Sequence, residues 1–183
     1  DDIMGESNYH HLLPEVVSRL ENLGMLEDSD GAKVVYPGGW VNREGDPLPL
    51  IIQKADGGYN YATTDLACII DRVERLGCND LLYVVGAPQS QHFKMVFEVA
   101  KQAGLIDGSH NVNHIKFGSV LDSDGKILKS REGEAIKLVD LLNESVVRAE
   151  QAIAQRNPSI NPKQRADIAR AIGIGAVKYA DLS

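Results

Sequence analysis

Cysteine is scarce in this sequence. Its 183 residues hold 2, Cys68 inside an apolar helical stretch and Cys78 just after a glycine, with no CxxC or other ligand spacing. A disulfide framework is excluded, and two reduced, structural thiols are expected. No apolar run approaches the roughly 18 residues of a membrane helix, and nothing after Asp1 resembles a secretory leader. Neither GxxxxGK[ST] nor GxGxxG occurs, which removes a P-loop and the standard dinucleotide fingerprint. An EF-hand fails by count: with Asp122 first, the sixth and twelfth positions are Ile127 and Gly133 instead of Gly and Glu. The histidines His10, His11, His110 and His114 form no ligand set with a cysteine, so no metal site is expected. The 26 acidic residues outnumber the 19 basic ones, giving a formal charge of -7. That balance argues against a surface that binds polyanions at large, while leaving room for a local site.

What is present is the composition of a folded soluble domain, 43% hydrophobic and 25% charged. One domain is the prior, and the abrupt ends read as those of a piece of a larger cytosolic protein. In "HHLLPEVVSRLENLG", Leu12, Leu13, Val16, Val17, Leu20 and Leu23 recur at helical spacing, Pro14 is tolerated in the first turn, and Gly24 supplies a stop. "AKVVY" and "LPLIIQK" read as strands, the second apolar enough to be covered on both faces. From Thr63 or Thr64, taken as N-caps, a helix runs to Gly77. "DLLYVVG" is then a buried strand, "HFKMVFEVAKQAG" a helix and "HIKFGSVL" a strand. This alternation predicts an α/β fold built on part of a doubly wound parallel sheet. A long helical pattern follows from Leu138, then a last helical region from Lys163 to about Tyr179, where Gly173 and Gly175 predict a break or a tight helix contact.

In such a sheet ligands collect beyond the carboxyl ends of the strands, and three loops qualify. In the first, Asp65 follows Tyr61 by four residues and is either a carboxylate able to grip a guanidinium or a first-turn acid favoured by the helix dipole. In the second, "VGAPQSQHF", Gly86 allows a tight turn, Gln89 and Gln91 offer amides, and His92 is either a structural cap or an anion and proton partner. The third, "DGKILKSREG", groups Lys126, Lys129 and Arg131 around Ser130, either as a solvated basic turn or as a clamp on phosphate oxygens.

Taken together and in order, "IIQKADGGYNYATTDLA", "YVVGAPQSQHF" and "HIKFGSVLDSDGKILKSREGEAIKLVDLLNE" closely resemble the arginyl-tRNA synthetase family of class I aminoacyl-tRNA synthetases. The likeness extends from "DDIMGESNYHHLLPEVVSRLENLG" to "AIGIGAVKYADLS". It implies the class I nucleotide-binding fold: residues 1–30 a peripheral helical segment, 31–144 the later half of the catalytic domain, and 145–183 the start of a helical stem leading to an anticodon-binding domain. It further implies ATP-dependent ligation of L-arginine to tRNA(Arg) through arginyl-adenylate, in a cytoplasmic and monomeric parent protein, with Mg2+ entering alongside ATP. No HxGH-type motif occurs here, so the isolated fragment is expected to be inactive. A non-catalytic nucleotide- or tRNA-binding relative is the competing expectation.

Residue by residue, the resemblance implies arginine-binding roles for Tyr61, Asp65 and Gln89. It implies ATP-side roles for Gly86, His92, His114, Phe117, Gly118, Lys129 and Ser130. Lys129, Lys126 and Arg131 correspond to the mobile signature loop that stabilises the pyrophosphate leaving group. The sequence "KILKS" departs from the usual KMSKS, which puts in doubt which lysine acts rather than what the loop does.

Overall fold

The structure is a computed structural model that describes residues 3–118 and 137–182. Lys126, Lys129, Ser130 and Arg131 lie outside the described residues. The chain divides into two units, Asp1–Val84 with Pro88–Ile115, and Val85–Ala87 with Lys116–Ser183.

The first unit begins with a 3-10 stretch, Glu6–Leu12, and helix α1, Leu13–Asn22. Pro14 sits in the first turn, where its missing N–H costs nothing. Leu13, Val16, Val17 and Leu20 form the buried stripe anticipated from their spacing, whereas Leu23, expected in it, is 54% exposed beyond the last turn. The stop at Gly24 is a Schellman turn: Gly24 has φ 65°, its N–H donates to the Glu21 carbonyl, and Met25 N–H donates to the Leu20 carbonyl at 3.0 Å.

Strands β1 (Glu27–Ser29), β2 (Ala32–Val35) and β3 (Leu50–Gln53) form an antiparallel sheet in the order β1-β2-β3, with Val34 opposite Ile51. The run "LIIQ" was expected to be covered on both faces, and the structure corrects this. Leu50 and Ile52 are buried whereas Ile51 is 37% exposed, the alternation of an antiparallel strand with one face on the core.

Helix α2, Tyr61–Ile70, starts earlier than the threonines predicted. Its cap is Asn60, whose side chain accepts the Tyr61 N–H at 2.9 Å. Thr63 is instead fully buried, and its hydroxyl donates to the Ile52 carbonyl, fastening the helix start to β3. Leu66, Ala67, Ile69 and Ile70 fill the core, and a π turn, Asp71–Arg75, carries the chain to Gly77.

Strand β4 (Asp80–Gly86), helix α3 (Ser90–Gln102) and strand β5 (Asn111–Phe117) follow, with β4 and β5 neighbours in one sheet. Asn111 N–H donates to the Asn79 carbonyl at 2.7 Å, and the Asn111 amide donates to Asp80 at 2.9 Å. The two strands therefore start side by side and run parallel, joined by α3 as the crossover. This is the α/β, doubly wound arrangement anticipated from the strand and helix order, except that β3, expected as the first strand of the parallel sheet, pairs antiparallel with β2 in a separate sheet. Within it β4 alternates: Leu81 and Tyr83 are buried, but Leu82 and Val84 are 58% and 62% exposed, so the strand expected to be buried is buried on one face only.

The second unit holds helices α4, Leu138–Arg156, and α5, Pro162–Leu182. Helix α5 runs unbroken through both glycines. At Gly173 the tight-contact alternative holds, since a Cβ there would lie 2.7 Å from the Val146 backbone and the Ser145 carbonyl.

Candidate functional site

The turn from β3 to α2 folds back on itself. Lys54 N–H donates to the Gly58 carbonyl at 2.8 Å, Gly57 takes φ 82°, and Asp56 accepts the Gly58 N–H at 2.8 Å. With Asn60 capping and Thr63 anchored below, the first turns of α2 are held from both sides. Asp65 is thereby set on a rigid helix instead of a loop.

His92 occupies the third position of α3, and the crossover brings it to Asp65 across 27 residues of sequence. The two side chains meet at 2.6 Å between Nε2 and Oδ2. An ionised carboxylate only accepts hydrogen bonds, so Nε2 carries the hydrogen in that state. Each side chain keeps about a quarter of its surface in solvent, 27% for His92 and 26% for Asp65, leaving the pair accessible to a ligand. Among the described residues Oδ1 of Asp65 takes no hydrogen bond.

Aromatic rings fix the imidazole. His92 meets Phe93 edge-on at 5.3 Å, and Phe93 is in turn 5.2 Å from Tyr83, 5.7 Å from Phe97 and 5.0 Å from His114 between ring centroids. The Arg72 guanidinium lies 4.7 Å from the centre of the Tyr83 ring, a cation–π contact. Burial raises the Tyr83 phenol above its ordinary range. It also raises the Cys68 thiol.

The structure joins Asp65 to His92, a pairing that the sequence reading placed in separate loops. Tyr61 is 71% exposed at the start of α2, and Gln89 is exposed just before α3. Neither is hydrogen-bonded to Asp65 among the described residues. His114 belongs to the same unit through its contact with Phe93. Gly86, Phe117 and Gly118 fall in the second unit. Nothing in the spacing of Asp65 and His92 announces their bond; the available signal was that each follows a strand of the same alternating fold. Among the described residues no cluster of three His, Cys, Asp or Glu could hold a metal ion, and no helix is long and apolar enough to cross a membrane.

The family model for tRNA synthetases class I (R), catalytic domain, matches residues 2–183. The arginine-tRNA ligase of Thermobifida fusca is 51% identical over 181 residues, covering 99% of this chain and 31% of that protein. The arginine-tRNA ligase of Thermosynechococcus vestitus is 49% identical over 183 residues, covering 98% of this chain and 31% of that protein. The chain thus spans about a third of the length of the curated relatives it matches. The crystal structure of arginyl-tRNA synthetase from Plasmodium falciparum superposes with a TM-score of 0.73 at 27% identity, covering 97% of this chain and 28% of that one. The Thermus thermophilus arginyl-tRNA synthetase gives 0.67 at 17% identity, covering 92% and 33%, a likeness of fold.

Proposed function

The chain belongs to the class I (R) tRNA synthetase catalytic-domain family, and on that premise we propose that its parent protein ligates L-arginine to tRNA(Arg) at the expense of ATP. In the first step an oxygen of the arginine carboxylate attacks the α-phosphorus of ATP, and pyrophosphate leaves. In the second a terminal ribose hydroxyl of the tRNA attacks the arginyl carbonyl, and AMP leaves. The protein supplies position and charge stabilisation rather than a covalent nucleophile.

Asp65 receives the guanidinium, flanked by Tyr61 and Gln89. The observation that carries this reading is the Asp65 carboxylate itself, held on a rigid helix with Oδ1 open and a quarter of the side chain exposed. Gly86, His114, Phe117 and Gly118 serve the ATP side. Lys129, helped by Lys126, Ser130 and Arg131, neutralises the leaving pyrophosphate. Magnesium enters on the ATP phosphates as part of the substrate. Residues 31–144 form the later half of the catalytic domain, 145–183 begin the stem, and 1–30 are a peripheral helical segment.

The test is tRNA-dependent ATP–pyrophosphate exchange by the complete parent protein. Each charge-assisted bond is worth about 1.5 to 3 kcal/mol, so Asp65→Ala raises the KM for arginine by roughly 10- to 150-fold while the KM for ATP stays within about twofold. Unchanged arginine kinetics overturn the assignment of Asp65. Absence of any arginine-dependent exchange in the parent favours a non-catalytic, tRNA-binding relative.

A further inference from the structure

We infer that His92 is a positioning residue for amino-acid recognition: its Nε2–H holds the Asp65 carboxylate in the orientation that accepts the substrate guanidinium. The inference rests on the reading of Asp65 as the guanidinium partner. It places His92 on the arginine side of the site, where resemblance alone had grouped it with the residues serving ATP.

The terminal torsion of an aspartate is broad, so a partly exposed carboxylate without a second partner samples many planes. A guanidinium presents two parallel N–H bonds and rewards one plane only. The bond of 2.6 Å from His92 to Oδ2 selects that plane. It uses one of the roughly four lone-pair sites of the carboxylate and leaves Oδ1, together with the second site on Oδ2, for the ligand. The imidazole is suited to the task because its ring packs edge-on to Phe93 at 5.3 Å, and Phe93 in turn packs on Tyr83 and His114. Rotamer freedom that arginine would otherwise have to remove on binding is already removed.

The experiment separates the donor from the ring. In the parent protein, titrated with arginine or with ATP while the other substrates are saturating, His92→Phe keeps the aromatic contact and removes the donor, and His92→Gln restores a donor near the same place. His92→Phe is expected to raise the KM for arginine about tenfold with the KM for ATP within about twofold, and His92→Gln to recover most of that loss. In an Asp65→Ala background the same Phe substitution is expected to add less than about twofold, because there is no carboxylate left to orient. Wild-type behaviour of His92→Phe, an equal rise for arginine and ATP, or full additivity with Asp65→Ala overturns the inference. So does a fall in the KM for arginine, which would make His92 a competitor of the guanidinium. If Asp65→Ala leaves arginine kinetics unchanged, the reading of Asp65 fails and this inference falls with it; a large Asp65 effect beside a silent His92→Phe removes the positioning role alone. Should the Phe variant not fold, the 15N resonance of the His92 Nε2 in the wild-type parent decides the matter. It shifts on saturation with arginine and not with ATP alone, and an arginine-silent resonance overturns the inference.

Discussion

Thr63 and Ile52 join the first turn of α2 to β3: the threonine hydroxyl donates to the isoleucine carbonyl, and both residues are fully buried. A buried carbonyl left without its partner forfeits the full desolvation cost, about 1 to 3 kcal/mol. Thr63→Val, nearly the same shape without the donor, is therefore expected to lower unfolding free energy by that amount, and Thr63→Ser to lose much less. Urea titration followed by circular dichroism measures both. Wild-type stability of Thr63→Val would remove the hydrogen bond as a contributor.

Asp107 predicts a pH dependence with a definite sign. Its carboxylate accepts the Ser109 hydroxyl at 2.6 Å and the Ser109 N–H at 2.8 Å, with His110 beside it. The Ser109 hydroxyl bond comes first among the causes that lower its pKa to about 2. A depressed folded-state value means that the contribution to stability is present above the unfolded value, about 3.9. It is lost as the pH falls from there through about 2. Ser109→Ala is expected to move the Asp107 carboxyl titration upward, read by 13C NMR. An unmoved titration would transfer the cause to the Ser109 N–H and the His110 bond, which the substitution leaves in place.

How far the sequence disclosed these sites follows from the range of the interactions involved. Helix α1 was legible because its apolar spacing, Pro14 and Gly24 are local signals that tertiary structure had no reason to override. The start of α2 was not, because Thr63 spends its hydroxyl on a carbonyl in another element, and Asn60 caps in its place. The apolar run of β3 looked covered on both faces and that of β4 looked buried, yet Ile51, Leu82 and Val84 are exposed. Hydrophobicity records what a strand face can bury, not what this chain brings to it. The carboxylate at Asp65 was legible as a candidate. Its bond to His92 was not, since the register of a crossover, rather than any spacing, decides that contact.

Lys129 is expected to separate chemistry from recognition. In the parent protein, Lys129→Ala should slow adenylate formation in single-turnover measurements and leave arginine affinity within about twofold, since a cation on the leaving pyrophosphate acts mainly in the transition state. Lys126→Ala, assayed beside it, shows which lysine carries the larger share. Parallel loss of arginine binding and rate would point to a folding defect rather than to the loss of a phosphate contact.

Gly173 and Gly175 lie on the same helix but are expected to respond in opposite directions to the same substitution. A Cβ at Gly173 would stand 2.7 Å from Val146 N and Cα, and the obstacle is backbone, which cannot swing aside as a side chain can. Gly173→Ala must therefore push α4 and α5 apart, at about 1 to 3 kcal/mol, as overpacking of a close contact costs. At Gly175 nothing lies within 4 Å of the added Cβ, and the residue is within the helix without a positive φ. Gly175→Ala should gain about 0.5 to 1 kcal/mol from helix propensity alone. Thermal unfolding of the two variants compares them directly. A neutral Gly173→Ala would mean that the two helices do not approach as closely in solution as Gly173 and Val146 do here.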